Sequence, residues 1–161
     1  MQRIHGHQTA IQRLQRTINS GRMHHAWIIS GPRGVGKRLL AEETARVLLD
    51  PDASADELGS IDHQQSHVSK LMESGTHPDL HVIHRRLAAT SSVSTLRDRK
   101  QMNIPVDLLR ETVIGGRTSD GKIHEAAAYR TATLGCGKIF IIDEAERLDL
   151  PGQNFLLKTL E

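Results

Sequence analysis

The chain has 161 residues, 37% of them hydrophobic and 25% charged, which is enough to bury the core of one domain and too apolar for a disordered chain. Twenty-one Lys and Arg stand against 19 Asp and Glu, a balance that does not by itself imply nucleic-acid binding, and 2% aromatics exclude a platform of stacked aromatic rings. One cysteine, Cys136, excludes an internal disulfide framework and a four-cysteine zinc site. Residues 1–20 carry charges throughout and lack the apolar centre of a signal peptide, and no apolar run is long enough to span a bilayer, so a cytoplasmic chain without membrane attachment is expected.

In chain order, residues 9–20 predict a short amphipathic helix with Ile11, Leu14 and Ile18 on one face, a Thr9–Gln12 capping box and Gly21 beyond its end. Residues 26–30 are apolar on both faces and stop at Gly31-Pro32, which reads as a buried strand. A second helix over 37–49 carries Leu40, Ala41, Thr44, Ala45 and Leu48 and ends at Asp50-Pro51-Asp52. Residues 52–78 are less regular, with Val68, Leu71 and Met72 placed for one helix face. A strand is predicted at 81–83, and residues 88–103, polar and basic, read as a surface loop.

Pro105 stands at a helix N1 position, with Val106, Leu109 and Val113 following and Gly115-Gly116 as the stop. Residues 117–122 read as a loop and 123–134 as a helix around Ala126-Ala127-Ala128. Residues 138–142 form a strongly apolar strand ending at Asp143-Glu144, and a last helix from about Gly152 runs on to Glu161 without a capping signal, which suggests truncation. Alternating strands and helices imply an α/β fold with a parallel sheet in three layers.

Two motifs carry chemistry. Gly31-Pro32-Arg33-Gly34-Val35-Gly36-Lys37-Arg38 follows the P-loop pattern through its Gly-Lys portion, between a predicted strand and a predicted helix. Glycines let successive amides turn inward around an anion, the helix adds its positive N-terminal end, and Lys37 is placed for the β and γ phosphates of ATP. The residue after the lysine is Ser or Thr in the full pattern, where its hydroxyl binds Mg²⁺; Arg38 has no lone pair to offer. Phosphate binding survives this change, whereas Mg²⁺-dependent hydrolysis is in doubt. The second motif, Ile139-Phe140-Ile141-Ile142-Asp143-Glu144, fits a Walker B strand, with Asp143 toward the Mg²⁺ shell and Glu144 as the base that polarises water.

With these motifs in hand, further strings gain meaning. Ile4-His5-Gly6-His7-Gln8, Gly21-Arg22-Met23-His24-His25-Ala26, Ser30-Gly31-Pro32, Gly75-Thr76-His77-Pro78-Asp79-Leu80 and Asn154-Phe155-Leu156-Leu157-Lys158-Thr159-Leu160-Glu161 resemble the bacterial DNA polymerase III clamp-loader subunits of the delta-prime and gamma/tau kinds, which are AAA+ P-loop proteins. The resemblance covers nearly the whole chain apart from insertions near 88–103 and 115–125. It implies that residues 1–161 are the N-terminal part of a AAA+ nucleotide-binding domain, ending before the last strands and the lid.

It also implies that Ile4 and His7 lie near the adenine. The partners it implies are other clamp-loader subunits, the sliding clamp and primer-template DNA. Arg38 favours a delta-prime-like stator over a catalytically active gamma/tau-type motor, and a AAA+ remodeller outside replication is the further alternative. The family carries a four-cysteine zinc module in the stretch corresponding to 52–78; His63, Ser66 and Ser69 stand at three of its cysteine positions, so no zinc is expected. His63 and His67, with Asp62, lack an evident further ligand, and Cys136 lies between glycines as a bystander. The basic residues Arg85, Arg86, Arg97, Arg99 and Lys100 are candidates for DNA phosphates, though a solvated loop is the plainer reading.

Overall fold

The computed structural model of the chain describes residues 4, 6–59, 66–97, 102–134 and 137–160. The chain divides into two compact units, one of residues 1–80 with 132–139 and one of residues 81–131 with 140–161. Each has its own apolar core.

In the first unit, helix α1 (Gln8–Asn19) buries Ile11 and Leu14 and packs Ile18 against the same cluster, as its apolar spacing requires. The Thr9–Gln12 capping box is not formed: the N-cap is His7, in left-handed backbone, with no side-chain cap bond. Helix α2 (Lys37–Leu49) has the predicted limits, but Val47 and Leu49 are buried where Leu48 is only half-buried, and Arg46 is buried beside them. Helix α3 (His67–Glu73) buries Val68. Leu40, Val47, Ala55 and Leu58 complete the core with Ile11 and Leu14.

Residues 26–30 form no strand ladder among the described residues, contrary to the sequence reading. Trp27 and Ile29 pack on this core, while Ile28 is 94% exposed. Burial here uses alternate residues of a run that is apolar at every position, and that leaves one side open.

The second unit contains most of a two-stranded sheet of β1 (Leu80–Ile83) and β4 (Ile139–Ile142). The pair is parallel in register: Ile139 N–H donates to Asp79 O and, further along both strands, Asp143 N–H donates to Ile83 O, each at 2.9 Å. The fold is therefore mixed α/β with a parallel sheet, as expected for a P-loop-type domain.

Pro105 is the N-cap rather than the first residue of helix α5 (Val106–Leu109), which continues as a π turn over Arg110–Ile114 and stops at Gly115. Over residues 88–97, the stretch predicted as a surface loop is not one: a 3-10 turn (Arg85–Thr90) leads to helix α4 (Ser94–Arg97), and Val93 and Leu96 are among the most buried side chains of the core with Ile104, Leu108 and Leu109. The predicted helix at 123–134 is also absent. Ile123–His124 (β3) pairs antiparallel with Gly116–Arg117 (β2), and Ala127–Tyr129 makes a 3-10 turn. The alanine run has helical propensity but no apolar stripe, and the hairpin bonds of Thr118 with Lys122 and Gly121 decide the local structure instead. Helix α6 (Leu150–Leu160) starts two residues before the expected Gly152.

Candidate functional site

The P-loop lies wholly in the first unit. Gly34 and Gly36 have φ of 83° and 94°, backbone that an L side chain resists, and Gly36 is the N-cap of α2. This lets the loop turn into the helix with its amides available to an anion. Lys37 Nζ donates to Gly31 O at 2.9 Å and Pro32 O at 2.8 Å, so the lysine is folded over the mouth of its own loop. A cavity of about 230 Å³ is lined by the loop residues Gly31, Pro32, Val35, Gly36 and Lys37 together with His7, Ala10, Ile29, Ser30 and Leu40. His7 Nε2 donates to Val35 O at 2.7 Å, which ties the residue before α1 to the loop. Ile4 packs against the same core. Arg33 and Gly34 are exposed.

These residues fit a nucleotide's phosphates: glycine backbone in the left-handed region, a helix N-terminus, a lysine and a cavity beside them. They do not supply a loop ligand for Mg²⁺. Arg38 does not line the cavity; its Nε donates to Glu42 at 2.8 Å, one turn along the exposed side of α2.

Asp143 and Glu144 lie in the second unit at the end of β4. Asp143 is anchored through its N–H to Ile83 O. Glu144 stands in left-handed backbone at φ 58° and ψ 48°, rare for a residue with a side chain, and its carboxylate pairs with Arg85 Nε at 2.9 Å. Arg85, a DNA-phosphate candidate from the sequence, is therefore committed to the proposed base. Arg97 is exposed and donates to Ser91 O at 2.9 Å, while Arg99 and Lys100 lie outside the described residues.

The sequence reading gave no role to the individual residues of the His77-Pro78-Asp79 string. Asp79 is fully buried and its carboxylate accepts the N–H groups of Thr133 and Leu134 at 2.7 and 2.8 Å, while its carbonyl accepts Ile139 N–H. Burial pushes the Asp79 carboxyl up, but these donors and His77 outweigh it and hold the group below the usual carboxylate range. His77 Nδ1 accepts Asp79 N–H at 3.1 Å; burial lowers its pKa, opposed by Asp79 and reinforced by His67. The string is a clasp on the chain entering β4, and no local signal marks it because its partners lie 54 and 55 residues away in sequence.

At two of the positions that the resemblance matched to cysteines, Ser66 Oγ accepts Ser69 N–H at 3.0 Å as the N-cap of α3, and the two hydroxyls are 3.1 Å apart. Serine does here what suits it, capping a helix. His63, Asp62 and Cys136 lie outside the described residues. Among the described residues no group of three or more His, Cys, Asp or Glu is placed to hold a metal, and no helix is long and apolar enough to cross a membrane.

The loop, its lysine and the helix that follows are those of the P-loop class. Comparison with known proteins narrows this. A family model described as DNA polymerase III, delta subunit, matches residues 6–161. DNA polymerase III subunit delta' of Pseudomonas aeruginosa is 30% identical over 138 residues, covering 85% of this chain and 33% of that protein. DNA polymerase III subunit gamma of Buchnera aphidicola is 27% identical over 158 residues, covering 98% of this chain and 35% of that protein. The chain belongs to this family of DNA polymerase III clamp-loader subunits, within the AAA+ class. It spans about a third of the length of the curated relatives it matches.

Proposed function

We propose that the chain is the nucleotide-holding part of a delta-prime-like stator in the replicative clamp loader, working with other clamp-loader subunits to load the sliding clamp on primer-template DNA. What supports this reading is a loop with the glycines and lysine of a phosphate cradle, together with departures from the active pattern in the groups that hydrolysis needs. Lys37 and the glycine backbone are in place, but Arg38 is turned onto Glu42 and has no lone pair for Mg²⁺. One oxygen of the Glu144 carboxylate is paired with Arg85, which competes with its orienting a water for attack.

When bound, ATP would supply a γ-phosphate whose charge Lys37 meets after leaving Gly31 O and Pro32 O, with Ile4 and His7 on the adenine side. The Walker B pattern would assign Asp143 to the shell of any Mg²⁺ carried in with the nucleotide. The gamma/tau-type motor is the weaker reading, because both departures act on the hydrolytic step. The test is ATP turnover in the clamp loader reconstituted with this protein. A stator requires that Glu144→Gln leave turnover unchanged within about twofold, while a loss near the 10²-fold typical of a removed general base would restore the motor reading.

A further inference from the structure

Residues 1–41 contain Arg3, Arg13, Arg16, Arg22, Arg33, Lys37 and Arg38 and no Asp or Glu; the first acid of the chain is Glu42. The P-loop accounts for Arg33, Lys37 and Arg38. It does not account for Arg13, Arg16 and Arg22, all exposed in the first unit. Arg13 and Arg16 are three residues apart and so share one face of α1, opposite Ile11 and Leu14. None of the three has an ion-pair partner among the described residues.

The nearest acid-bearing turn, residues 55–58, meets α1 through Gln15 Nε2, which donates to Asp56 O and Leu58 O at 3.4 and 3.3 Å. At about 100° per residue, Gln15 sits roughly 160° from Arg13 and 100° from Arg16 around the helix, so those acids face another side. The helix dipole explains a cation in the last turn, where Arg16 stands, but it would favour an acid in the first turn, and α1 has none. The face thus excludes acids even where one would stabilise the helix, while two of the five basic residues singled out from the sequence, Arg85 and Arg97, are bonded within the protein.

We infer that the outer face of α1, with Gln12, Arg13, Arg16, Ser20 and Arg22, is a docking surface for a nucleic-acid phosphate backbone. Guanidinium groups and neutral hydrogen-bonding side chains without interleaved aromatics suit phosphates and not bases, so contact is independent of sequence. The inference rests on the clamp-loader reading for the DNA that the face would meet; the charge argument stands apart from it.

The test is fluorescence anisotropy of a labelled primer-template duplex with the full chain, from about 50 to 200 mM salt. Each phosphate neutralised contributes about 0.9 to the slope of log K against log salt, so Arg13→Gln/Arg16→Gln/Arg22→Gln should lower that slope by about 2.7. Arg13→Lys/Arg16→Lys/Arg22→Lys should keep most of it, and Gln12→Glu, on the same face, should weaken binding. An unchanged slope in the triple Gln variant, or displacement of the duplex by polyglutamate as readily as by unlabelled DNA, overturns the inference, the second in favour of an acidic protein partner. ATP titration of the same variants keeps the readings apart: ATP binding retained with no DNA binding sinks this inference alone, and DNA binding without ATP binding sinks the nucleotide-holding reading alone.

Discussion

Replacing Asp79 should do more damage than its distance from the P-loop lysine in sequence suggests. Its buried carboxylate accepts two backbone N–H groups, those of Thr133 and Leu134, at 2.7 and 2.8 Å. Asp79→Ala removes both charge-assisted bonds and leaves two partly buried donors without an acceptor. At about 1–3 kcal/mol for each stranded donor, and toward the lower half because both are only partly buried, the loss is about 2–4 kcal/mol. With a urea m-value of about 2 kcal/mol/M, the unfolding midpoint should fall by about 1–2 M. Asp79→Asn keeps the shape but turns an NH₂ toward one donor, and should lose about half as much. Equilibrium urea unfolding followed by far-UV circular dichroism measures both. A midpoint shift below about 0.3 M for Asp79→Ala would refute the clasp, because two bonds to a buried carboxylate cannot be that weak.

Acid should unfold the protein in two stages. His77 is held below its ordinary pKa, so its contribution is complete above about pH 6.5 and declines as pH falls from there toward its folded value; a pH series of urea midpoints should show this shallow stage, absent in His77→Asn. Asp79, Asp107 and Glu111 are all held below the carboxylate range, so their contribution is present above about pH 4 and is lost as pH falls through their folded values, giving a steeper second stage. Leu96→Ala should cost about 2–5 kcal/mol by the same unfolding measurement, since Leu96 is buried in the second core; a cost below about 0.5 kcal/mol would return residues 88–97 to a solvated loop. Arg38→Thr restores a hydroxyl beside Lys37 and should make ATP affinity depend on Mg²⁺, read by titration with and without a chelator.

Local signals were legible where backbone chemistry dictates them. Helix α2 follows from Gly36 and a run of good helix formers up to Asp50, and β4 from four apolar residues ending in two acids. The turn of the loop was legible for the same reason, because glycine at 34 and 36 is a conformational requirement. What could not be read depends on partners distant in sequence. Val93 and Leu96 sit among serines and cations, and only the core built by Ile104, Leu108 and Leu109 makes them buried. The Glu111 carboxylate, which accepts Ser91 Oγ and Ser92 N–H, fixes that segment from 19 and 20 residues away. The Arg85–Glu144 pair joins residues from the ends of two neighbouring strands, which neither motif contains. Helical propensity misled at the alanine run, where a hairpin and a 3-10 turn prevailed.

The central claim, that this loop holds a nucleotide through Lys37, is tested most directly by calorimetric titration of ATP into the protein and into its Lys37→Ala variant. The account predicts measurable binding that changes little when Mg²⁺ is chelated, and at least a tenfold loss, about 1.4 kcal/mol, on removing the lysine. Equal affinity in the two proteins, or binding that vanishes without Mg²⁺, would contradict it.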